Sequence, residues 1–369
     1  MRPIQGKTTM IKSLTCQLVG SYTKPSWLLQ HDKIYNLDGA AWRISGENLA
    51  SAQADVVRLA IYEQERAGID LISDGEGWRS AWDKHFLTKF DGIDTTNLAS
   101  QAVPASEIGT VTYKKEGYSK DDAGGLPRVV GAISWSGPIS VEELTFARSI
   151  TDRPIKTQIV GPFTILDRIV DEHYGDELAL AMDIAGALNA ELKALEAAGA
   201  AVLHIDDPVM HSRFSRVKRL GLAPIERLVE GLKRPTTIHV CYGYAYSKLN
   251  KEPSPTYAEL LRMLADCEPI TAMSIEYEQP KHGPELLENC DNKHVVLGLL
   301  DLGTHEIETP EHIAARIRAA LKVIPAERLH PSSDCGMWHL PRGVAYGKIK
   351  SLVMGTDIVR KELGLPTST

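Results

Sequence analysis

Four side chains of this 369-residue chain combine metal-binding chemistry with regular placement: His239 and Cys241 in TTIHVCYG, Glu276 in SIEYE and Cys335 in SSDCG. Each lies at or just past the end of an apolar, strand-like run. Two sulfurs, one imidazole and one carboxylate suit a tetrahedral zinc ion, because thiolates with imidazole select zinc whereas magnesium and calcium want oxygen. Taken singly, each has an ordinary reading, such as a buried small thiol; the combination points to metal. A free thiol has a pKa of about 8.5 and is mostly protonated at neutral pH, and coordination to zinc deprotonates it. Two protein thiolates and a carboxylate make the site anionic, which leaves a bound substrate sulfur nucleophilic. Alkyl transfer onto sulfur suits this set better than hydrolysis, whose zinc sites favour His and carboxylate ligands.

Side chains two apart on a strand point the same way, so His239 and Cys241 project together while Glu276 and Cys335 come from later runs. Eight β-like runs are present, at 15–20, 69–74, 156–161, 201–206, 236–241, 271–276, 294–300 and 328–334, the last being weakest by composition. Near-continuous apolar character marks strands buried on both faces, as in a parallel sheet. Amphipathic helices separate them. In 176–198, Leu178, Met182, Ile184, Leu188, Leu192 and Leu195 form one stripe that ends at Gly199. In 310–324, Ile313, Ile317, Leu321 and Ile324 repeat the pattern behind an N-cap at Thr309 and Pro310 at the first helical position. The fold class is therefore α/β, a (β/α)8 TIM barrel, with its chemistry at the carboxyl ends of the strands. A doubly wound sheet needs a Gly-rich phosphate turn after its first strand, and VGSYTKP lacks one.

The gap between the second and third runs is too long for one helix. IGTVTYKKEGYS and LPRVVGAISWSG alternate like hairpin strands around the turn KDDAGG. An antiparallel excursion between strands 2 and 3 is expected at about 90–150, within a single barrel domain spanning 1–369. The segment 22–50 holds two Trp residues and is either a cover for the barrel mouth or ordinary packing.

A composition of 43% hydrophobic and 24% charged residues with a net charge of −7 gives no basic surface for nucleic acid or an anionic membrane. The basic run Arg213 to Arg219 reads as a solvated helix face. The five cysteines show no disulfide spacing, no signal peptide is apparent, and no apolar run reaches membrane-spanning length, so a cytoplasmic location is expected. A homo-oligomer is compatible with the sequence.

The segments VGSYTKP, ISDGEGWR, VGPFTIL, HIDDP, IHVCYG, SIEYE, LGLLDL and SSDCG, in that order, resemble the catalytic barrel of the cobalamin-independent methionine synthase family and its shorter single-barrel relatives. The resemblance implies methyl transfer from methyltetrahydrofolate to homocysteine, with His239, Cys241, Glu276 and Cys335 as zinc ligands. It implies that Ser21 contacts the amino-acid substrate and that Glu76 and Asp206 hold its ammonium group, while the role of Asp207 is open. There are departures. Arg168 stands where a pterin-stacking aromatic is usual. Gly303 stands where the family places a candidate proton-donating His, which leaves His305 as either general acid or exposed loop residue. Tyr242, Tyr244, Tyr246 and Trp338 are candidates for shaping the pocket. The partners implied are a small-molecule thiol and a methyl donor, folate or corrinoid. Competing readings are a zinc-thiolate alkyltransferase resembling epoxyalkane:coenzyme M transferase, a demethylase, and a non-catalytic zinc-binding barrel.

Overall fold

The computed structural model describes residues 12–30, 41–80, 83–100, 125–243 and 251–368. Its strands are β1 (Phe90–Ala99), β2 (Leu126–Trp135), β3 (Lys156–Val160), β4 (Val170–Asp171), β5 (Val202–Asp206), β6 (Thr236–Val240), β7 (Ala272–Ile275), β8 (His294–Gly298) and β9 (Leu329–Ser332). Six of them form one parallel sheet in the order β3-β5-β6-β7-β8-β9. Every pair in it is parallel and in unbroken register.

The first two predicted runs complete the ring without forming ladders. Leu14 and Gln17 donate their N–H groups to the carbonyls of Leu329 and Pro331 of β9, both at 3.0 Å. Gln17 bridges Leu71 in parallel, and Ile72 bridges Ile155 beside β3. Side chains occupy backbone groups that a longer ladder would use. Cys16 N–H donates to Asp70 Oδ2 at 2.7 Å, Val19 N–H to Ser333 Oγ at 3.2 Å and Ser73 N–H to Gln64 Oε1 at 3.0 Å. The result is a TIM-barrel-type fold, with the weakest predicted run, 328–334, in place as β9.

Both helices read from periodicity are present. Glu177–Ala197 is capped by Asp176, which accepts from the N–H groups of Leu178 and Ala179, and it buries Ile184, Leu188, Leu192 and Leu195. Leu178 is instead exposed, and Gly199 takes φ +94 just past the end, where a left-handed residue is needed. Pro310–Ala320 begins at Thr309, whose side chain accepts from His312 N–H.

The excursion contains an antiparallel pair, β1 with β2, joined in parallel by the short β4. Among the described residues the partner of β2 is therefore Phe90–Ala99; the expected partner 108–119 lies outside them. The strand β1 has no signature in the sequence because FDGIDTTNLA is polar and lacks alternation. Glu191, buried on the helix Glu177–Ala197, ties this unit to the barrel. Its carboxylate accepts from Trp135 Nε1 at 2.9 Å and from the N–H groups of Ile139 and Ser140 at 2.8 Å. Glu191→Ala strands three buried donors, and each unmet donor costs about 1–3 kcal/mol. Urea unfolding should show a loss of about 2–5 kcal/mol with earlier proteolysis within 90–150; unchanged stability would remove Glu191 from this role.

Candidate metal centre

Strand register assembles the centre. Asp206 of β5 lies beside His239 of β6, and His239 lies beside Ser274 of β7. Neighbours in register face the same side, here the barrel interior. His239 Nδ1 is hydrogen-bonded to Ser274 Oγ at 2.9 Å. Its Nε2 is buried with no hydrogen-bond partner among the described residues. His239, Cys241 and Cys335 each present a ligand atom, and these atoms lie within 4.8 Å of one another. All three residues are buried. A neutral imidazole with one nitrogen anchored and the other free is the form that ligates metal. Burial, with Lys156 and Lys251 nearby, holds His239 down at about 3, so it is neutral.

Cys241 and Cys335 share a hydrogen bond. That bond, burial and the charges of Cys241 and Glu276 push Cys335 well above the usual thiol range. Gly243 N–H donates to Cys241 Sγ at 3.2 Å. Two thiols and an unpaired imidazole nitrogen meeting in a buried pocket fit zinc, which suits softer donors and low coordination number.

Glu276 is placed at the same rim but outside that cluster. Its N–H donates to Tyr257 Oη at 3.1 Å, and Tyr257 Oη donates to Val240 C=O at 2.7 Å, so one phenol clamps the ends of β6 and β7. The carboxylate Oε1 accepts from Lys251 Nζ at 2.6 Å and Oε2 from Tyr242 N–H at 3.2 Å. Burial pulls the Lys251 ammonium down, but Glu276, Cys335 and Cys241 outweigh it and leave its pKa raised.

Glu76 and Asp206 face each other electrostatically. Burial, followed by the charges of Glu76 and Asp207, raises Asp206 well above the ordinary carboxylate range. Burial also raises Glu76, against the pull of Arg79 and Lys24. Among the described residues neither carboxylate accepts a hydrogen bond from the protein; Asp206 Oδ1 lies 3.9 Å from the neutral His239 Nε2. Glu76 adopts φ +55 directly after Gly75 at φ +67. A side chain held in the left-handed region costs about 1–3 kcal/mol and persists where surrounding structure demands it. Here Glu76 N–H donates to Asp74 Oδ1 at 2.9 Å and Tyr22 N–H to Gly75 C=O at 3.0 Å.

Ser21 joins the first turn to the last. Met337 N–H donates to its carbonyl at 2.9 Å. Its Oγ sits against Gly336, where an added Cβ would meet it at 2.1 Å. Asp207 is structural: its carboxylate accepts from Phe163 N–H, Thr164 N–H and Thr164 Oγ1, and burial raises it to about 7.

Other predicted residues lie elsewhere. His305 is exposed on the connection after β8, and among the described residues no hydrogen bond or ion pair joins it to the cluster. Arg168 reaches toward Asp83 at 3.6 Å. Tyr242 is buried in an aromatic group with His211, Tyr257 and His282. Tyr244 and Tyr246 lie outside the described residues. Trp338 is buried with Leu29 and Ala41, with Trp42 packed against them, which brings part of the segment 22–50 beside the turn that carries Cys335.

Sequence reasoning missed Lys251, Ser274, His204 and Asp334. Ser274 was within reach, being two residues before Glu276 on the same face. His204, with Asp206 and His239, makes a second group of potential ligands. Asp334 accepts from the N–H groups of Tyr277, Glu278 and Gln279, bracing the turn after β7.

Two thiols and an imidazole on the rim of a parallel barrel make a candidate metal centre of an enzyme, and comparison with known proteins gives the chain its family. Residues 19–357 match the family described as cobalamin-independent synthase, catalytic domain. A methionine synthase of Saccharolobus solfataricus is 32% identical over 95% of this chain and 96% of its own length. One from Pyrococcus abyssi is 31% identical, covering 95% and 94% respectively. The structure of a B12-independent methionine synthase from Shewanella sp. W3-18-1, in complex with selenomethionine, superposes with a TM-score of 0.81 at 34% identity, over 95% of this chain and 99% of that one. This chain belongs to the cobalamin-independent methionine synthase family and is a methyltransferase.

With Cys335 protonated and His239 neutral, metal uptake must expel thiol protons but none from the imidazole. Apparent zinc affinity should therefore rise with pH, by about tenfold per unit for each proton expelled, between about pH 6 and 8. Chelator competition across that range checks it; a flat profile would contradict a protonated Cys335.

Proposed function

We propose that this protein transfers a methyl group to the sulfur of homocysteine, giving methionine, with zinc held by His239, Cys241, Glu276 and Cys335. The observation that carries this reading is the buried His239 Nε2, without a hydrogen-bond partner among the described residues, beside two cysteine sulfurs. Zinc bound there would hold a substrate thiol as its thiolate. The remaining work falls to the chain's own residues. Glu76 is buried and the Asp206 side chain is only 14% exposed. Two such acids without protein donors supply what an α-ammonium group needs. Ser21, packed against Gly336 beside Cys335, is the residue assigned to contact the amino-acid backbone in this reading. An acceptor thiol lacking an amine would leave both acids unmatched, which disfavours a sulfonate-thiol substrate. The selenomethionine bound by the Shewanella relative is the selenium analogue of the product proposed.

The transfer forms a sulfur–carbon bond and breaks the donor's bond to the same methyl carbon, so catalysis is mainly nucleophile activation and alignment. A folate donor leaves through nitrogen and requires a proton, for which His305 remains the candidate. A methyl-corrinoid donor needs none. The buried free cysteines agree with a reducing, cytoplasmic setting.

Turnover of zinc-loaded protein with homocysteine, comparing methyltetrahydrofolate, its polyglutamate and methylcobalamin, tests the reading; no methionine from any donor would overturn it. Cys335→Ser should lose most metal and nearly all turnover. Glu76→Gln should raise the KM for homocysteine by about tenfold or more, as expected for one charge-assisted contact, while leaving metal content intact. Full zinc and full turnover in Cys335→Ser would refute the ligand assignment.

A further inference from the structure

Lys251 reaches the rim from the connection between β6 and the helix Pro255–Ala265, and its side chain is 0% exposed, as is that of Glu276. An ammonium taken fully out of water costs several kcal/mol unless well paired. Here it is paired, at 2.6 Å, with the one predicted ligand that stands outside the cluster of His239, Cys241 and Cys335. The other carboxylate oxygen is held by Tyr242 N–H at 3.2 Å. Each Glu276 carboxylate oxygen thus has a protein donor, while Glu276 stands outside the group of three ligand atoms.

We propose that Lys251 is a positioning residue that competes with the metal ion for the Glu276 carboxylate and receives that carboxylate when a substrate thiol takes its place. The inference rests on zinc binding at this centre. Charge explains why such a partner is needed. Two thiolates and a carboxylate around a dication sum to −1, and the ammonium brings the buried total to zero. With zinc held there, a substrate thiolate taking the place of Glu276 would release a carboxylate that, without Lys251, would be an unpaired buried anion. Lys251 removes that penalty and so keeps Glu276 exchangeable, whereas a carboxylate with no alternative partner would remain a permanent fourth ligand.

Cobalt(II) in place of zinc, in the full-length protein, gives a visible spectrum for metal affinity (by chelator competition) and for thiol arrival (by homocysteine titration). Lys251→Met and Lys251→Gln should each bind cobalt about tenfold more tightly and need about tenfold more homocysteine for the spectral change. In a Glu276→Gln background the same substitutions should alter cobalt affinity by less than about threefold, because the competition acts through Glu276. Thermal melting of each metal-free variant reports its folding, and Lys251→Gln keeps a hydrogen-bond donor if Lys251→Met is unstable. Equal tightening in both backgrounds would reduce Lys251 to a bare charge and overturn the proposal, as would weaker cobalt binding in both Lys251 variants. Wild-type protein that binds cobalt while the Lys251 variants behave identically overturns this inference alone. Wild-type protein that takes up no cobalt overturns the metal reading and this inference with it.

Discussion

Lateral register between parallel strands is the constraint on which the rest of the site depends. Asp206, His239 and Ser274 are neighbours because β5, β6 and β7 pair without a slip. A one-residue slip of any of these strands would turn its member of the three toward the helices. Register is in turn enforced from outside, where Ile205, Ile238, Met273 and Ile275 must meet the apolar faces of the surrounding helices. Ordinary hydrophobic packing thus sets the aim of the polar groups. The hydrogen bond from His239 to Ser274 adds the last degree of order by choosing which nitrogen stays free.

The barrel interior carries far more charge than a packed β-barrel core tolerates without purpose. Glu76, Glu276 and Asp334 are buried acids, with Asp206 largely covered beside them, and Lys24, Arg79, Lys156 and Lys251 are buried bases. Most of the bases are accounted for by structure. Arg79 binds Glu143, Ser140 and the Gln158 carbonyl. Lys156 binds Gln17 and the Leu18 carbonyl, holding the first run to β3. Asp334 accepts hydrogen bonds from three backbone donors. Among the described residues Glu76 and Asp206 accept no hydrogen bond of this kind, which is the feature behind the proposed ammonium-bearing ligand.

Much of this was legible in the sequence because it rests on short-range pattern. Buried parallel strands read as apolar runs, and Glu177–Ala197 and Pro310–Ala320 read as periodic stripes with recognisable caps. The stripe of large residues was only approximate, since Ala181 and Ala185 are buried while Leu178 is exposed. The cysteines and His239 were legible because their residue types are rare at strand ends. Long-range polar pairing was not legible. Lys251 lies in a stretch without periodicity, and its meaning comes from Glu276, 25 residues further on. Glu191 looked like an ordinary helix-face acid, although it binds backbone some 50 residues earlier. The polar β1 gave no strand signal because its partner, not its composition, defines it.

The contact of Ser21 with the turn after Cys335 joins residues far apart in sequence: Met337 N–H bonds the Ser21 carbonyl, and Gly336 leaves no room for a side chain against Ser21 Oγ. During synthesis the amino-terminal turn leaves the ribosome more than three hundred residues before its partner. The ring cannot shut, nor the cysteine sulfurs come together, until Cys335 and the turn after it have been made. A nascent chain that stops short of Cys335 therefore presents His239 and Cys241 without the third member of the group.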